Sequence, residues 1–266
     1  MDLHNKTAII YGASGAIGSA ITRAFYLAGA NIMMVARNQE KLQRIANTIS
    51  TADNRIQTAA LDVLDQEAVV KHADAVAAKS GRIDISVNMT GTFHIQGVGF
   101  PELSLEDFMF PVNTYIRANF ITAQAAAKHM IKQKSGVLLS ISTPGSKLPG
   151  TGFMGYGLAC SGIEALNRHF AGELGQYGIR SVCLRPDAMP EAAIHDSHSN
   201  EVFTKAASGA GMSIQDMLEQ HAQANTLLKR LPTLNEVANT AVFMASDMAS
   251  AITGTVANLT CGSLVD

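Results

Sequence analysis

Short apolar runs alternate with helix-length segments along this whole chain, and that alternation fixes the fold class. Thr7-Ala8-Ile9-Ile10-Tyr11 reads as a buried strand, followed by a Gly-rich turn and a helix to about Ala28. Residues 31–36 form a second strand and 39–50 a second helix. The rhythm repeats as strand 56–62, helix 66–79 and strand 83–89. These strands lack polar alternation, as required when helices cover both faces of a sheet. The order β-α-β-α predicts a parallel, doubly wound α/β sheet.

The second half continues the pattern. Ser104 ahead of Leu105-Glu106-Asp107 marks a capped helix start. Pro111 predicts a kink in a long helix that reaches about Lys134. Strand 136–142, helix 156–176 and strand 181–185, closed by Pro186, follow. Residues 187–230 are polar and mixed, which predicts an inserted lid with one or two short helices. Thr233 and Glu236 form a capping box for a helix to about Ser246, and 255–259 is the last strand. No repeat or linker interrupts the pattern, so residues 1–266 read as a single domain.

Composition narrows the function classes. A chain of 266 residues with 47% hydrophobic content supplies one large core. Charged residues make up only 16%, which fits either helix faces buried between subunits or a large core in a modest chain. A net charge of −2 leaves no electrostatic footprint for nucleic acid. No apolar stretch approaches the ~20 residues that cross a bilayer. Residues 1–6 lack the features of a signal peptide, so a cytoplasmic location is expected. Cys160, Cys183 and Cys261 lie far apart, which argues against disulfides and structural zinc and for a reducing compartment. His195 and His198 flank Asp196-Ser197, and this reads as polar lid surface, so no metal is expected.

The turn after the first strand is Gly12-Ala13-Ser14-Gly15-Ala16-Ile17-Gly18, and a helix follows at once. Glycines let backbone N–H groups approach a diphosphate, and a helix N-terminus stabilises its charge. The strand-turn-helix context makes this a nucleotide site. The end of the second strand selects the nucleotide. Ala36-Arg37-Asn38 has no carboxylate for ribose hydroxyls, and Arg37 offers a planar fork of donors to a 2′-phosphate. NADP(H) is therefore favoured over NAD(H).

In this arrangement the chain resembles the short-chain dehydrogenase/reductase family over essentially its whole length. The Gly-rich turn matches TGxxxGxG, with Tyr11 for the threonine and Ala16 for the middle glycine. Asp62-Val63 matches the segment that contacts adenine. Asn88-Met89-Thr90-Gly91 stands for Asn-Asn-Ala-Gly, and Asn113 for the helix asparagine that holds a water. Thr143 lies thirteen positions before Tyr156, at the place of the family's serine. Arg185-Pro186-Asp187 matches a Pro-Gly that has lost its glycine. The resemblance implies a Rossmann fold. It implies coenzyme contacts from Gly12, Ser14, Gly15, Ile17, Gly18, Arg37, Asp62, Val63, Asn88, Gly91, Pro186 and Met189. It further implies catalysis by Tyr156 as acid/base, Thr143 as the oxygen-binding hydroxyl and Asn113 as water holder. A homo-oligomer, dimer or tetramer, is implied as well.

The departure lies at Cys160, where the resemblance calls for lysine four positions after the tyrosine. A cation ~4 Å away at an effective dielectric of ~20 contributes roughly 4 kcal/mol, about 3 units of phenol pKa. A neutral thiol supplies none of it. Three readings stand open: a small buried filler, replacement of the cation by Lys147, or a reactive thiol. Phe93, His94, Phe153, Met154 and Met189 fall near strand ends and suggest an apolar substrate pocket. The expected function is NADP(H)-dependent oxidation or reduction of a small apolar carbonyl or alcohol compound. The alternative is a degenerate or non-redox relative that binds a ligand, acts like a cyclase or serves as a partner subunit.

Overall fold

The computed structural model describes residues 1–50, 54–150, 152–194 and 198–266. Seven strands form one parallel sheet in the order β3-β2-β1-β4-β5-β6-β7. They are β1 (Thr7–Tyr11), β2 (Asn31–Ala36), β3 (Ile56–Ala60), β4 (Ile85–Asn88), β5 (Gly136–Ile141), β6 (Ile179–Pro186) and β7 (Thr255–Leu259). The helices are α1 (Ala16–Leu27), α2 (Gln39–Ile49), α3 (Gln66–Ser80), α4 (Leu105–Gln133), α5 (Met154–Leu174), α6 (Pro190–Ala193), α7 (His198–Gly209), α8 (Ile214–Asn225) and α9 (Leu234–Ala245).

Successive strand residues point to opposite faces, so β1 serves two cores at once. Ala8 and Ile10 pack with Phe25, Leu42 and Val237 on the side of α1, α2 and α9. Ile9 and Tyr11 pack with Val69, Ile121 and Met130 on the side of α3 and α4. Both faces of β1 are buried, which explains its unbroken apolar run.

Helix α4 runs without interruption through Pro111. Proline deletes one intrahelical hydrogen bond and costs about 3 kcal/mol in a helix interior. Here it falls near the N-terminal end and is buried, and the long apolar face beyond it outweighs that cost. The capping box at Thr233 and Glu236 is present, and Arg230 adds two bonds of 2.9 and 2.7 Å to the same glutamate. Between β6 and α9, three helices stand among the described residues where the sequence predicts one or two.

The strand order reverses between β1 and β4. In an open parallel sheet, the carboxyl ends of the strands flanking that reversal leave a crevice for ligands. The Gly-rich turn leaves β1 there, and the 89–94 segment leaves β4 beside it.

Candidate active site

The turn is shaped by what it excludes. Gly12 sits at φ +75°, where L side chains are strained, and a Cβ on it would lie 2.5 Å from the Met89 carbonyl oxygen. A Cβ on Gly18 would meet the Gly12 oxygen at 2.3 Å, so α1 packs directly on the turn. Gly15 is the N-cap of α1. No side chain caps that end, and no carboxylate occupies its first turn. Ser14, Gly15 and Ile17 are partly exposed around it. An anion is the partner this end lacks. Arg37 is exposed at the end of β2 and has no charged partner among the described residues. Asn38 caps α2 through Lys41 N–H at 2.8 Å, which fixes the backbone beside Arg37. Asp62 is exposed at the neighbouring end of β3 and accepts from Leu64 N–H, while Val63 is buried. These residues suit the diphosphate and adenosine of a dinucleotide.

Asn88 works on the scaffold. Its amide donates to Thr122 on α4 at 2.9 Å, and its oxygen accepts from Thr90 N–H at 3.0 Å. Pro186 is buried at the end of β6, and Met189 is buried at the N-cap of α6.

At the other end of the crevice, Tyr156 stands in the first turn of α5 and Thr143 follows β5. Thr143 Oγ1 lies 3.5 Å from Cys160 Sγ, and both side chains bear on the Tyr156 phenol. Burial, then the neighbouring Cys160 and Tyr115, hold the Tyr156 phenol well above its ordinary value, against a smaller opposing effect of Thr143. Burial likewise pushes the Cys160 thiol up to about 11, so it packs as a neutral group and not as a thiolate. Lys147 is exposed and is not among the groups that bear on Tyr156. The vacated cation is therefore not restored from that loop.

Asn113 is exposed on α4 and does not reach the site. Tyr115 reaches it instead. Its ring lies 6.0 Å from that of Tyr156, and its hydroxyl donates to the Thr92 carbonyl and accepts from Thr92 N–H. Helical geometry gives the reason. Residues 115 and 122 are seven apart and share the face that Asn88 grips, whereas residue 113 is turned by about 200° from 115. The sequence reading missed Tyr115, and the register set by Thr122 was the signal that points to it.

His94, one of the expected pocket residues, completes the cluster. Its ring stacks on Tyr156 with centroids 4.0 Å apart and planes 12° from parallel. Nδ1 meets the Thr92 carbonyl at 2.9 Å and Nε2 meets Gln96 at 2.7 Å, a pattern that suits the neutral tautomer protonated on Nδ1. Burial lowers its pKa, against a smaller effect of that carbonyl. Phe153 and Met154 are exposed at the start of α5, and Phe93 lies under Lys205 of α7.

Two polar networks hold the frame. Glu164, one turn after Cys160, is 2% exposed and accepts from Ser142 at 2.8 Å, Ser146 at 2.6 Å and Arg185 at 3.2 Å. Arg185 also pairs with Asp266. Asp187, which replaces the expected glycine, accepts from Ala188 N–H, Ser263 and His221 of α8. Among the described residues no three His, Cys, Asp or Glu side chains are grouped to hold a metal. His195 lies outside the described residues.

A family model described as enoyl-(acyl carrier protein) reductase matches residues 12–263. The chain is 29% identical over 257 residues to a D-threitol dehydrogenase of Mycolicibacterium smegmatis, covering 95% of this chain and 90% of that protein. It is 30% identical over 258 residues to the oxidoreductase UcpA of Salmonella typhimurium, covering 95% and 92%. A crystal structure of sorbitol-6-phosphate 2-dehydrogenase SrlD from Erwinia amylovora superposes with a TM-score of 0.88 at 23% identity, covering 97% of this chain and all of that one, a likeness of fold. No described helix is long and apolar enough to cross a membrane.

Proposed function

The chain belongs to the short-chain dehydrogenase/reductase family of oxidoreductases, and from that premise we propose that it is an NADP(H)-dependent reductase of apolar carbonyl compounds. The observation that carries the reading is the pairing of Tyr156 and Thr143 at the same sheet edge as the Gly12–Gly18 turn. Ser14, Gly15 and Ile17 would hold the diphosphate, and Arg37 the 2′-phosphate. Held there, a nicotinamide coenzyme would supply the hydride that reduces the carbonyl carbon. Thr143 orients the carbonyl oxygen, and the Tyr156 hydroxyl gives it a proton.

The raised pKa of Tyr156 supports the reductive direction. A phenol that stays protonated can donate, whereas alcohol oxidation needs it as a base. Reduction is thus favoured over oxidation near neutral pH, and turnover is slow beside an enzyme with a cation at position 160. Exposed Phe153 and Met154 support an apolar substrate. Exposed Phe110 and Phe120 on α4 and Leu158 on α5 support pairing of these helices between copies of the chain. The test is coenzyme oxidation with NADPH and a panel of apolar ketones and aldehydes. NADPH should be consumed with at least one of them and the alcohol formed. Consumption that persists unchanged in Tyr156→Phe would overturn the assignment.

A further inference from the structure

The crevice between its two ends is filled by the protein itself. The 89–94 segment runs from the Gly12 turn, which its Met89 carbonyl touches, to Tyr156, on which His94 stacks. Gly91 is the middle of that path. Directly on Gly91 lies the ring of His198, the first residue of α7: a Cβ at Gly91 would fall 1.9 Å from its Cε1 and 2.6 Å from each ring nitrogen. His94 is the titratable group that bears on it, and burial holds the His198 pKa near 4, so a neutral imidazole lies against Gly91. The turn and Arg37 fit the phosphoadenosine half of a dinucleotide. In this conformation the stretch from Gly91 to Tyr156 does not fit the other half.

The element carrying His198 is lightly held. Among the described residues helix α7 buries Val202 and Ala207 and rests Phe203 on the core around Leu218, and Asn200 ties it to the Ala193 carbonyl at 2.6 Å. Helix α8 buries Leu218 and Ala222 and has in addition an ionic tie, His221 on Asp187 at 3.1 Å, which α7 lacks among the described residues. An element with few buried apolar contacts opens at low cost. We propose that His198 is an internal competitor for the nicotinamide end of the coenzyme, so that the resting protein binds a 2′-phosphorylated adenosine phosphate by itself and admits the whole coenzyme only when α7 leaves. This rests on the NADP(H) reading above. A binding-competent state populated at a fraction f weakens apparent affinity by that factor. A tenfold penalty therefore corresponds to α7 being open about a tenth of the time.

The test compares two ligands by calorimetry: NADPH, and adenosine 2′,5′-bisphosphate as the fragment without nicotinamide. For the wild-type protein the two affinities should agree within about threefold. In His198→Ala, NADPH should tighten tenfold or more while the bisphosphate stays unchanged. Amide exchange along 198–209 should accelerate with NADPH and not with the bisphosphate, a readout that does not depend on the variant. Wild-type protein that binds NADPH tenfold or more above the fragment, with α7 unaffected, overturns the competitor role while leaving the coenzyme assignment standing. Failure of both ligands to bind at millimolar concentration removes the coenzyme assignment and the competitor with it.

Discussion

The phosphate end and the proton-transfer end of the crevice are built on the same sheet edge, yet they follow different constraints. At the phosphate end the proposed binding groups belong to the backbone. Gly12 and Gly18 are fixed because any side chain would strike a carbonyl oxygen within 2.5 Å. At the proton-transfer end side chains do the chemistry, and the same backbone accepts other ones. Thr143, Cys160 and Tyr115 fill that end without disturbing β5, α5 or α4. A fold therefore keeps its nucleotide cradle by steric necessity while its reactive groups drift, which is why scaffold and chemistry must be argued separately.

That contrast can be broken from either side. Tyr156→Phe should lower carbonyl reduction by about 10²–10⁴-fold, the range for loss of a general acid, while coenzyme affinity holds. Steady-state rates and a binding titration on the same variant check it. Next is the frame under Cys160. Arg185→Met leaves Glu164 buried without its cation and should cost about 3–5 kcal/mol in denaturant unfolding. Arg37→Ala acts at the opposite end. It should weaken NADPH by about ten- to a hundredfold, the worth of a charge-assisted hydrogen bond to phosphate, and leave NADH unchanged. Cys160→Lys asks whether the drifted end can be reversed. A cation beside Tyr156 should lower its pKa and raise the reduction rate about tenfold or more, read from the pH profile. No gain would mean that His94 and Tyr115 have rebuilt the site around a neutral residue.

The smallest effect concerns the clamp on α8. Hydrogen bonding to Asp187 raises the His221 pKa, against a smaller effect of burial. Burial pushes Asp187 up, but His221, Ser263 and the Ala188 N–H outweigh it, and the net shift is downward. The sign follows for each partner. His221 stabilises the fold fully below about 6.5, and this is lost as pH rises through its raised value. Asp187 stabilises above about 3.9, and this is lost as pH falls through its lowered value. His221→Ala should therefore lower the melting temperature most near pH 5–6. The deficit should shrink by pH 9, as thermal scans across that range would record.

Much of the fold was legible because period and punctuation are local. The apolar runs around Ile9, Val35 and Val87, the Gly12–Gly18 turn, and the Thr233–Glu236 box each lie within a short window. The site was legible only where a residue is fixed by distance from a landmark, as Thr143 is from Tyr156. Asn113 went wrong because a 29-residue helix does not reveal its facing residues until a contact, here Thr122 with Asn88, sets its rotation. The His94 stack, the His198 contact with Gly91 and the Glu164–Arg185–Asp266 network join residues far apart in sequence or on opposite sides of the crevice. No periodicity encodes such meetings.

The retained cradle is the premise of this account, and one measurement reaches it most directly: titration of wild-type protein with NADPH and NADH under identical conditions. The account predicts saturable NADPH binding at least tenfold tighter than NADH, a preference that disappears in Arg37→Ala. Equal affinity for both coenzymes would contradict the assignment of Arg37, and no binding of either would contradict the cradle itself.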